Sequence, residues 1–451
     1  MLFNTVQFFL FLAVVLVLFY AAPKPARRPI LLAASYFFYM SFIPKYVLVL
    51  LALTGIDYTS AIWIERAPSH RTKKLFLIAG VSANLGFLGF FKYFNFLTGN
   101  AFALHVVLPL GISFHTFQSM SYVVDVYRGE QAAVTNIIDY ALYIAFFPQL
   151  VAGPIVRARN FFADLYKWRP PTNAEVSHGA LLLILGLAKK VALADQFARI
   201  ADGYFKNVAG QPGAVTAWSG AFAFGMQIYF DFSGYTDMAI GMAELLGFHF
   251  PVNFKRPYLA SSLTDFWRRW HISLSTWLRD YLYFPLGANR RGELYGCRNL
   301  MITMLLGGLW HGASWNFVIW GGYHGAVLCA ERATGLARWK SAMFYPLRAL
   351  ATFGLVLIGW VFFRAATLRD SLYVIGQMFT GRGGAWLVPV WLMVLIGVCL
   401  LLAAIEEKRQ WFAKLATGPA WAYACAAAVL LLCVELIGVT DVPVPFVYFQ
   451  F

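Results

Sequence analysis

Residues 300–330 read LMITMLLGGLWHGASWNFVIWGGYHGAVLCA, a run of 31 residues without Asp, Glu, Lys or Arg. As one helix this run would be about 46 Å long, which is long for a single membrane crossing and short for two. A hairpin of two short helices that turns near residues 312–316 fits the length better. Irregular backbone at that depth is tolerated only where it is buried in protein or lines a cavity. The run therefore predicts a re-entrant hairpin with His311 near its tip, in the middle of the membrane.

The composition of the whole chain indicates a polytopic membrane protein. Of its 451 residues, 60% are hydrophobic and only 13% are charged, which leaves too little polar surface to cover a soluble protein. The formal net charge is +15. Lys and Arg lie mainly in short loops between apolar segments, as the positive-inside rule predicts, and this placement does not indicate nucleic-acid binding. We expect a lipid bilayer around the protein and no nucleic-acid partner.

Apolar segments of about 20 residues, long enough to cross the hydrocarbon core, recur along the chain. Basic clusters separate them, and the positive-inside rule then places both termini outside the cytoplasm. The apolar segments, together with two re-entrant segments at 137–156 and 300–330, predict an all-α polytopic membrane protein with about 10–12 spans. We expect a single membrane domain over residues 1–451, with a hairpin element at 297–335. The ten segments are 5–22, 28–43, 46–64, 75–97, 105–126, 176–203, 214–247, 346–364, 386–405 and 418–438.

Residues 248–296 are more polar than the rest of the chain but too aromatic for a disordered linker. We interpret them as a folded element at the cytoplasmic face, re-entrant or amphipathic. Ser262 followed by Asp265 is a capping-box pattern, which predicts the start of one amphipathic helix. The apolar face of that helix would carry Trp267, Trp270, His271, Leu274, Leu278 and Tyr281, and its other faces Arg268, Arg269, Thr276 and Arg279.

His311 is the first candidate for a functional residue. An ionisable side chain at bilayer depth is costly and usually faces a protein-lined cavity, so by default it marks a functional site. Trp310 and Asn316 beside it suit a close-packed, polar pocket. From chemistry alone, a structural histidine that hydrogen-bonds across helices explains the position equally well. His324, whose neighbours are small packing residues, fits that structural role better.

His271 lies on the predicted apolar face, and by itself it indicates core packing. Two histidines close together across a membrane cavity would be more informative, because one can accept a proton while the other hydrogen-bonds to developing charge. No third ligand stands at a spacing that suits a metal ion, so we expect no metal site. Neither a disulfide framework nor a zinc site is indicated by the cysteines, which are Cys297, Cys329, Cys399, Cys425 and Cys433.

Other charged residues leave two interpretations open. A basic run could bind an anionic donor such as a nucleotide-phosphate cofactor, or it could reflect topology alone. Asp231 and Asp237 lie in an apolar stretch and could act in catalysis, but pairing with a loop arginine as a structural lock is the better-supported interpretation. The basic run comprises Lys255, Arg256, Arg268, Arg269, Arg279, Arg290 and Arg291.

Two stretches, residues 265–283 and 307–316, together resemble the membrane-bound O-acyltransferase (MBOAT) family. They read DFWRRWHISLSTWLRDYLY and GGLWHGASWN. Supporting matches are FPQLVAGPI at 147–155, QIYFDFSGY at 227–235 and the ending FVYFQF at 446–451. The resemblance covers most of the chain. It is greatest to the bacterial polysaccharide branch of the family, which contains the membrane subunit of alginate O-acetylation and the D-alanyl transferase of teichoic acids.

The resemblance implies a helical bundle thinned at its centre, with a cytoplasmic funnel for an acyl donor and an opposite opening for the acceptor. It implies that His311 is the catalytic histidine and that His271 is the second polar residue of the centre, where many eukaryotic members carry Asn. We expect the substrate-binding residues within the same motifs, at Trp310, Asn316, Arg279, Trp267 and Asp265.

On this basis we expect an O-acyltransferase of the bacterial inner membrane with no bound cofactor. It would move an acetyl group from cytoplasmic acetyl-CoA across the membrane for O-acetylation of an exported polysaccharide such as alginate. His311 would act as general base, with His271 and Asn316 at the oxyanion, or would carry the acyl group itself as a relay. The expected partners are a periplasmic hydrolase-like acetyltransferase and a polysaccharide biosynthesis complex. D-alanyl or other acyl transfer from a carrier protein to a cell-envelope polymer, and a non-enzymatic transporter, remain alternatives.

Overall fold

The computed structural model describes residues 1–99, 101–102, 108–150, 153–336, 343–439 and 444–449. Within these ranges the chain forms helices and turns and no β-strand, which confirms the all-α prediction. Two of the quoted motifs extend beyond the described residues, because Val151, Ala152, Gln450 and Phe451 lie outside them.

Six helical stretches in the described ranges are long and apolar enough to cross a membrane. They coincide with six of the ten predicted segments and bear out a multi-pass membrane protein, although about 10–12 spans were expected. The first two predicted segments are helices of only 16 and 17 residues, and the helix Ala214–Leu245 carries Gly, Ser, Thr and Asp along its length. The six stretches are Pro44–Arg66, His70–Leu97, Asn173–Phe205, Tyr345–Arg364, Val390–Arg409 and Ala420–Ile437.

The contacts divide the chain into two compact units, residues 1–183 with 238–251 and residues 184–237 with 252–451. The single membrane domain expected over residues 1–451 stays a prediction. Helices of the first unit are α1 (Val6–Ala21), α2 (Lys24–Met40), α3 (Val47–Arg66), α4 (His70–Leu88), α5 (Phe94–Leu97), α6 (Ile112–Arg128), α7 (Ile137–Ala145), α8 (Phe147–Leu150), α9 (Ala158–Tyr166) and most of α10 (Asn173–Ala188).

Polar contacts within the first unit set how its apolar helices pack. Helices α3, α4 and α6 contact one another, and a Cβ at Gly80 of α4 would lie 3.0 Å from the Ser60 Oγ of α3. One turn further along α4, the Asn84 Nδ2 donates a hydrogen bond to the buried Asp57 Oδ1 at 2.6 Å. Small residues and interhelical hydrogen bonds of this kind are what membrane helices use to associate, since lipid offers no hydrophobic driving force.

The segment expected to dip into the membrane at 137–156 begins with the short helices α7 and α8. Helix α7 has nine residues and is about 14 Å long, less than half of a hydrocarbon core. Asn136 caps its N-terminus by accepting the Ile138 N–H, and the helix ends before Phe146, near Pro148. As a helix α7 is too short to cross the membrane, and the re-entrant path of the segment stays a prediction.

The second unit contains the hairpin and the residues of the remaining motifs. Helix α16 contacts α13, α15 and α17. Wider π-helical turns occur at Lys189–Ala194 and Arg279–Tyr283. Helices of this unit are α11 (Asp195–Phe205), most of α12 (Ala214–Leu245), α13 (Leu263–Arg269), α14 (Ile272–Leu278), α15 (Glu293–His311), α16 (Trp315–Thr334), α17 (Tyr345–Arg364), α18 (Leu368–Met378), α19 (Val390–Arg409), α20 (Trp411–Ala416) and α21 (Ala420–Ile437).

Candidate active site

Helices α15 and α16 form the hairpin expected from the uncharged run. They pack against each other and turn at residues 312–314, and His311 is the last residue of α15. The expectation of two short helices is wrong, because α15 and α16 have 19 and 20 residues and are each about 28–30 Å long. Both helices extend beyond the uncharged run into its charged flanks. They can do so because charged side chains do not prevent hydrogen bonding along the helix backbone.

Two glycines allow the hairpin helices to approach closely. A Cβ at Gly308 of α15 would collide with the backbone oxygen of Phe317, and a Cβ at Gly321 of α16 would collide with that of Met304. The helix backbones can approach this closely only because Gly308 and Gly321 carry no side chain. Because Gly308 precedes His311 by less than one turn, this packing also fixes where the end of α15 lies.

His311 is 6% exposed as a residue, and aromatic side chains enclose its ring. Its ring centre lies 5.1 Å from those of Trp320 and Phe363, 4.9 Å from that of Trp310 and 5.7 Å from that of Tyr448. The carbonyl end of a helix carries partial negative charge, which stabilises a positive charge on a ring in its last turn. A proton accepted by His311 during a reaction would therefore gain stabilisation from α15 itself.

The predicted single helix from Ser262 to Tyr281 is wrong, because it breaks at His271. The Ser262 Oγ does accept the Asp265 N–H at 3.0 Å, as the capping pattern predicted, but α13 ends at Arg269 and α14 starts at Ile272. His271 has the left-handed backbone values φ 43° and ψ 55°. A non-glycine residue in that region stores strain, which persists only where surrounding structure imposes it.

Hydrogen bonds with the irregular segment 253–255 impose this break. The Lys255 N–H donates to the Arg269 carbonyl at 2.9 Å, and the Ile272 N–H donates to the Asn253 carbonyl at 2.9 Å. At the other end of α13, the Glu331 carboxylate of α16 accepts the backbone N–H of Thr264 at 2.9 Å. The helix that leads into His271 is thus tied to the hairpin by a charged group at its N-terminus.

Asn253 fixes the orientation of the His271 ring. Its Oδ1 accepts the backbone N–H of Ser273 at 3.1 Å and the Ser273 hydroxyl at 2.9 Å, and it lies 3.3 Å from His271 Nδ1. An oxygen that accepts from a backbone N–H has no proton to offer, so His271 Nδ1 must be the donor. Burial lowers the pKa of His271 to about 3. The ring is therefore neutral near pH 7 and presents a lone pair at Nε2.

The two candidate histidines belong to one aromatic cluster. The Trp310 ring centre lies 6.3 Å from that of His271 as well as beside His311. A second connection runs through Phe232, whose ring centre is 4.7 Å from His271 and 4.7 Å from Tyr448. The Tyr448 hydroxyl is buried and has no hydrogen-bond partner among the described residues, which leaves a polar atom available at the cluster.

The four other predicted binding residues have different surroundings. Trp267 reaches the cluster through Trp320, at 5.7 Å between ring centres. Asn316 is buried and donates from Nδ2 to the Ala365 carbonyl at 2.8 Å, which ties α16 to the end of α17. Asp265 accepts from the Arg269 Nε at 2.9 Å. Arg279 is exposed, and its Nε lies 2.7 Å from the Asp280 Oδ1. Roles in substrate binding stay a prediction for all four.

His324, expected to be structural, is buried one turn beyond Trp320. Its ring centre is 4.7 Å from that of Trp320 and 5.4 Å from that of Trp267. A Cβ at Gly359 would lie 2.7 Å from its Nε2, so α17 closes over it. It thus packs in the same cluster without touching His311 in any described contact.

Several predicted charges are paired within the second unit. Asp231 and Asp237 do lock helices together, but with Lys190 and Lys189 as partners instead of loop arginines. In the basic run, Arg256 and Arg269 both pair with Glu407 of α19. Within the described ranges, no three His, Cys, Asp or Glu side chains come together as metal ligands.

Sequence reasoning missed Asn253 and Tyr448. Asn253 stands between Val252 and Phe254 without any motif, so the sequence offered no signal for it. Tyr448 belongs to the quoted ending FVYFQF, which was assigned no role. Their importance follows from contacts with His271 and His311, residues that lie 18 and 137 positions away in the chain.

Comparison with known proteins assigns a family to this arrangement. The model of the MBOAT, membrane-bound O-acyltransferase family matches residues 129–368. A probable alginate O-acetylase AlgI of Pseudomonas putida is 44% identical over 391 residues, covering 84% of this chain and 80% of that protein. Its counterpart in Azotobacter vinelandii is 42% identical over 436 residues, covering 92% and 86%.

A third relative acts on a different polymer according to its name. The peptidoglycan O-acetyltransferase of Helicobacter pylori is 38% identical over 423 residues, covering 84% of this chain and 80% of that protein. Matches of this extent include both candidate histidines within the family region. The chain is an acyltransferase, and it belongs to the membrane-bound O-acyltransferase family.

Proposed function

We propose that this protein transfers an acetyl group from acetyl-CoA to a hydroxyl group destined for an exported polysaccharide, with His311 as the catalytic residue. The observation that carries the proposal is the position of His311, buried at the carbonyl end of α15 between Trp310, Phe363 and Tyr448. The names of the similar proteins, alginate O-acetylase and peptidoglycan O-acetyltransferase, support acetyl as the group and a polysaccharide as the final acceptor.

In the direct scheme His311 acts as general base. The acceptor oxygen attacks the thioester carbonyl while His311 takes its proton, the carbon–sulfur bond breaks, and the proton passes to the leaving thiolate. The end of α15 favours the imidazolium that forms. A base placed in this way contributes typically about 10²- to 10⁴-fold in rate.

His271 has a different role in this scheme from the one expected. With its Nδ1 proton donated to Asn253, the neutral ring can only accept at Nε2. It would donate to an oxyanion only as an imidazolium, which burial disfavours. We therefore assign His271 to accepting a hydrogen bond from the attacking hydroxyl or from His311. Asn316, whose amide donates to the Ala365 carbonyl, is assigned to holding α16 against the end of α17 instead of to the oxyanion.

In the relay scheme His311 attacks the thioester and carries the acetyl group before it passes outward. Single-turnover kinetics with labelled acetyl-CoA separate the two schemes. A burst of label on the wild-type protein that the His311→Ala variant lacks supports the relay. Transfer to acceptor without protein-bound label supports direct attack.

The cellular setting completes the proposal. We propose a multi-pass location in the bacterial inner membrane with both termini in the periplasm, supported by the positive-inside pattern. A periplasmic hydrolase-like acetyltransferase and a polysaccharide biosynthesis complex would receive the acetyl group. Copurification of such proteins with the tagged chain, and loss of polymer acetylation on their removal, are the expected results.

The decisive experiment measures thioester consumption by purified protein in nanodiscs. We expect hydrolysis or transfer with acetyl-CoA and much less with a D-alanyl carrier protein. His311→Ala should abolish the reaction. The matched variant His324→Ala, which alters another buried histidine of the same cluster, on α16, should retain it. Preference for the carrier protein would replace acetyl by D-alanyl, and no thioester consumption with either donor would point to a transporter.

A further inference from the structure

Lys190 is a lysine whose side chain is fully buried in the second unit. It lies in the π-helical turn Lys189–Ala194 between α10 and α11. Its Nζ is 2.6 Å from Asp195 Oδ1 and 3.0 Å from Asp231 Oδ1. A buried ammonium costs several kcal/mol unless paired, and this one is held between two carboxylates.

Asp231 connects this lysine to a segment far along the chain. While its Oδ1 faces Lys190, its Oδ2 accepts the backbone N–H of Val447 at 2.7 Å. Val447 belongs to residues 444–449, which we call the tail segment. A carboxylate has two acceptor oxygens, so Asp231 satisfies both donors at once.

The same π-helical turn and the start of α11 are linked to the end of α21 and the residues after it. The Val191 carbonyl accepts the Val439 N–H at 3.0 Å, and Gln196 Nε2 donates to the Ile437 carbonyl at 2.7 Å. A π-helical turn changes the local hydrogen-bond ladder, and such bulges are frequent at functional sites. Together with the Asp231–Val447 bond, three hydrogen bonds thus join this part of the core to the chain from the last residue of α21 to the tail segment.

The tail segment places aromatic side chains in the candidate active site. Tyr448, next to Val447, has its ring centre 5.7 Å from His311 and 4.7 Å from Phe232. On the other side of Val447, the Phe446 ring centre is 4.6 Å from that of Tyr235. The Val447 N–H, which Asp231 accepts, therefore lies in the chain between Phe446 and Tyr448, whose rings pack against the cluster.

We propose that Lys190 and Asp231 are positioning residues of the acyltransferase site, which hold the tail segment so that Tyr448 packs against His311. This inference rests on the proposed function for its effect on catalysis, but not for the docking of the tail segment. Lys190 fixes the carboxylate of Asp231, and the carboxylate fixes Val447. Neither residue contacts His311 in any described interaction, so their effect is transmitted through the tail segment.

The chain offers a matched control pair. Lys189 precedes Lys190, and its Nζ lies 2.5 Å from Asp237 Oδ2 on the same helix that carries Asp231. This pair has the same residue types on the same two elements. Its side chains are about one-fifth exposed, and its described hydrogen bond does not involve the tail segment. Any general effect of breaking a lysine–aspartate pair here is therefore measured by Asp237→Asn.

The first test replaces the carboxylate by an amide. In Asp231→Asn one oxygen must serve two donors, Lys190 and Val447, so the tail segment loses its anchor. We expect faster hydrogen–deuterium exchange in the peptide that contains Val447. We also expect kcat lowered by about 10- to 10²-fold, the scale that small misplacements in a site produce, with the KM for acetyl-CoA unchanged. Asp237→Asn should alter neither quantity.

A rescue variant separates positioning from loss of charge. Lys190→Met/Asp195→Asn/Asp231→Asn removes the competing donor together with all three charges, and neutral replacement of a whole buried ion network is often tolerated. The amide oxygen at position 231 is then free for Val447. We expect exchange protection and kcat to return toward the wild-type values. If the triple variant is as impaired as Asp231→Asn, the proposal is wrong.

Val447→Pro tests the link from the other side and covers the case in which Asp231→Asn does not fold. Proline removes the N–H donor, and the first position of a short helix such as Val447–Phe449 tolerates it. The Lys190–Asp231 pair stays intact. We expect the same loss of kcat as in Asp231→Asn in a protein that still folds, with a lower thermal midpoint because the buried Asp231 Oδ2 loses its donor. Wild-type kcat in Val447→Pro, or equal exchange in Asp231→Asn and Asp237→Asn, would overturn the proposal.

The readouts distinguish this inference from the proposed function. Hydrogen–deuterium exchange needs no substrate, so it decides the docking of the tail segment even for a protein that transfers no acetyl group. Absence of transfer by the wild type, with exchange that responds to Asp231→Asn as expected, would refute the proposed function alone. Normal transfer with unresponsive exchange would refute the positioning role alone.

Discussion

The side-chain oxygen of Asn253 lies 3.3 Å from Nδ1 of His271 and also accepts the backbone N–H of Ser273. Because that oxygen cannot donate, the contact assigns the Nδ1 proton to His271 and leaves a lone pair at Nε2. Burial lowers the pKa of His271 to about 3. The ring should therefore stay neutral across the pH range in which activity is ordinarily measured.

Asn253→Asp should change the pH dependence of the reaction. A carboxylate beside Nδ1 favours the imidazolium, so the pKa of His271 should rise from its low value toward neutrality. Since the neutral ring is the proposed active form, the acid limb of the kcat–pH profile should lie at higher pH in Asn253→Asp than in the wild type. Ser273→Ala, which removes a neighbour of Asn253 without adding charge, should leave the acid limb where it is in the wild type. An unchanged acid limb in Asn253→Asp would contradict the assigned tautomer.

Gly321→Ala should destabilise the hairpin, whereas Gly322→Ala should not. A Cβ at Gly321 meets the backbone oxygen of Met304, which cannot move aside, while a Cβ at Gly322 finds only Leu305 Cδ2 at 3.5 Å. Overpacking of this kind costs about 1–3 kcal/mol. Thermal unfolding in nanodiscs measures the difference. Equal midpoints for the two variants would show that the hairpin backbones are not in close contact.

Asn316→Ala should affect stability more than chemistry. Its amide donates to the Ala365 carbonyl, and a buried carbonyl left without its donor costs about 1–3 kcal/mol. We expect a lower thermal midpoint and a kcat reduced far less than in His311→Ala. A loss of kcat that matches His311→Ala at an unchanged midpoint would instead favour Asn316 as the oxyanion donor.

His249 should make the first unit more stable in acid than in mild base. Burial by itself lowers the pKa of His249, but hydrogen bonds and charge from Glu175 and Asp164 outweigh it and raise the pKa above the ordinary value. The folded state thus holds the proton more tightly than the unfolded state. This stabilisation is complete below the unfolded pKa of about 6.5 and is lost as pH rises through the folded pKa.

The corresponding measurement compares thermal midpoints below pH 6 and above pH 8 for the wild type and His249→Gln. Part of the pH dependence of the wild-type thermal midpoint should disappear in high salt, because His249 is half exposed and its ion pairs are screened. The variant His249→Gln should lack that part already at low salt. The nitrogen–oxygen distances are 3.1 Å to Glu175 and 3.4 Å to Asp164, and the half-exposed position of His249 keeps the effect small. An identical pH dependence in both proteins would rule it out.

The sequence predicted the hairpin and the position of His311 because both depend on local features. The length of an uncharged run limits how helices can cross a membrane, and the polar turn marks where they reverse. The Ser262 cap was predictable for the same reason, since donor and acceptor are three residues apart. The break at His271 was not, because hydrogen bonds from residues 253–255 override the helical periodicity there.

By itself, the sequence determined that this chain is a helical membrane protein, and it predicted a hairpin with His311 near its tip. Apolar length and helical hydrogen bonding act within a segment, so they can be read along the chain. Only the tertiary structure decided that Asn253 orients His271, and that Asp231 holds Val447 across 216 positions. Such pairs carry no periodic signal, because each depends on where two distant backbones meet after the helices have packed.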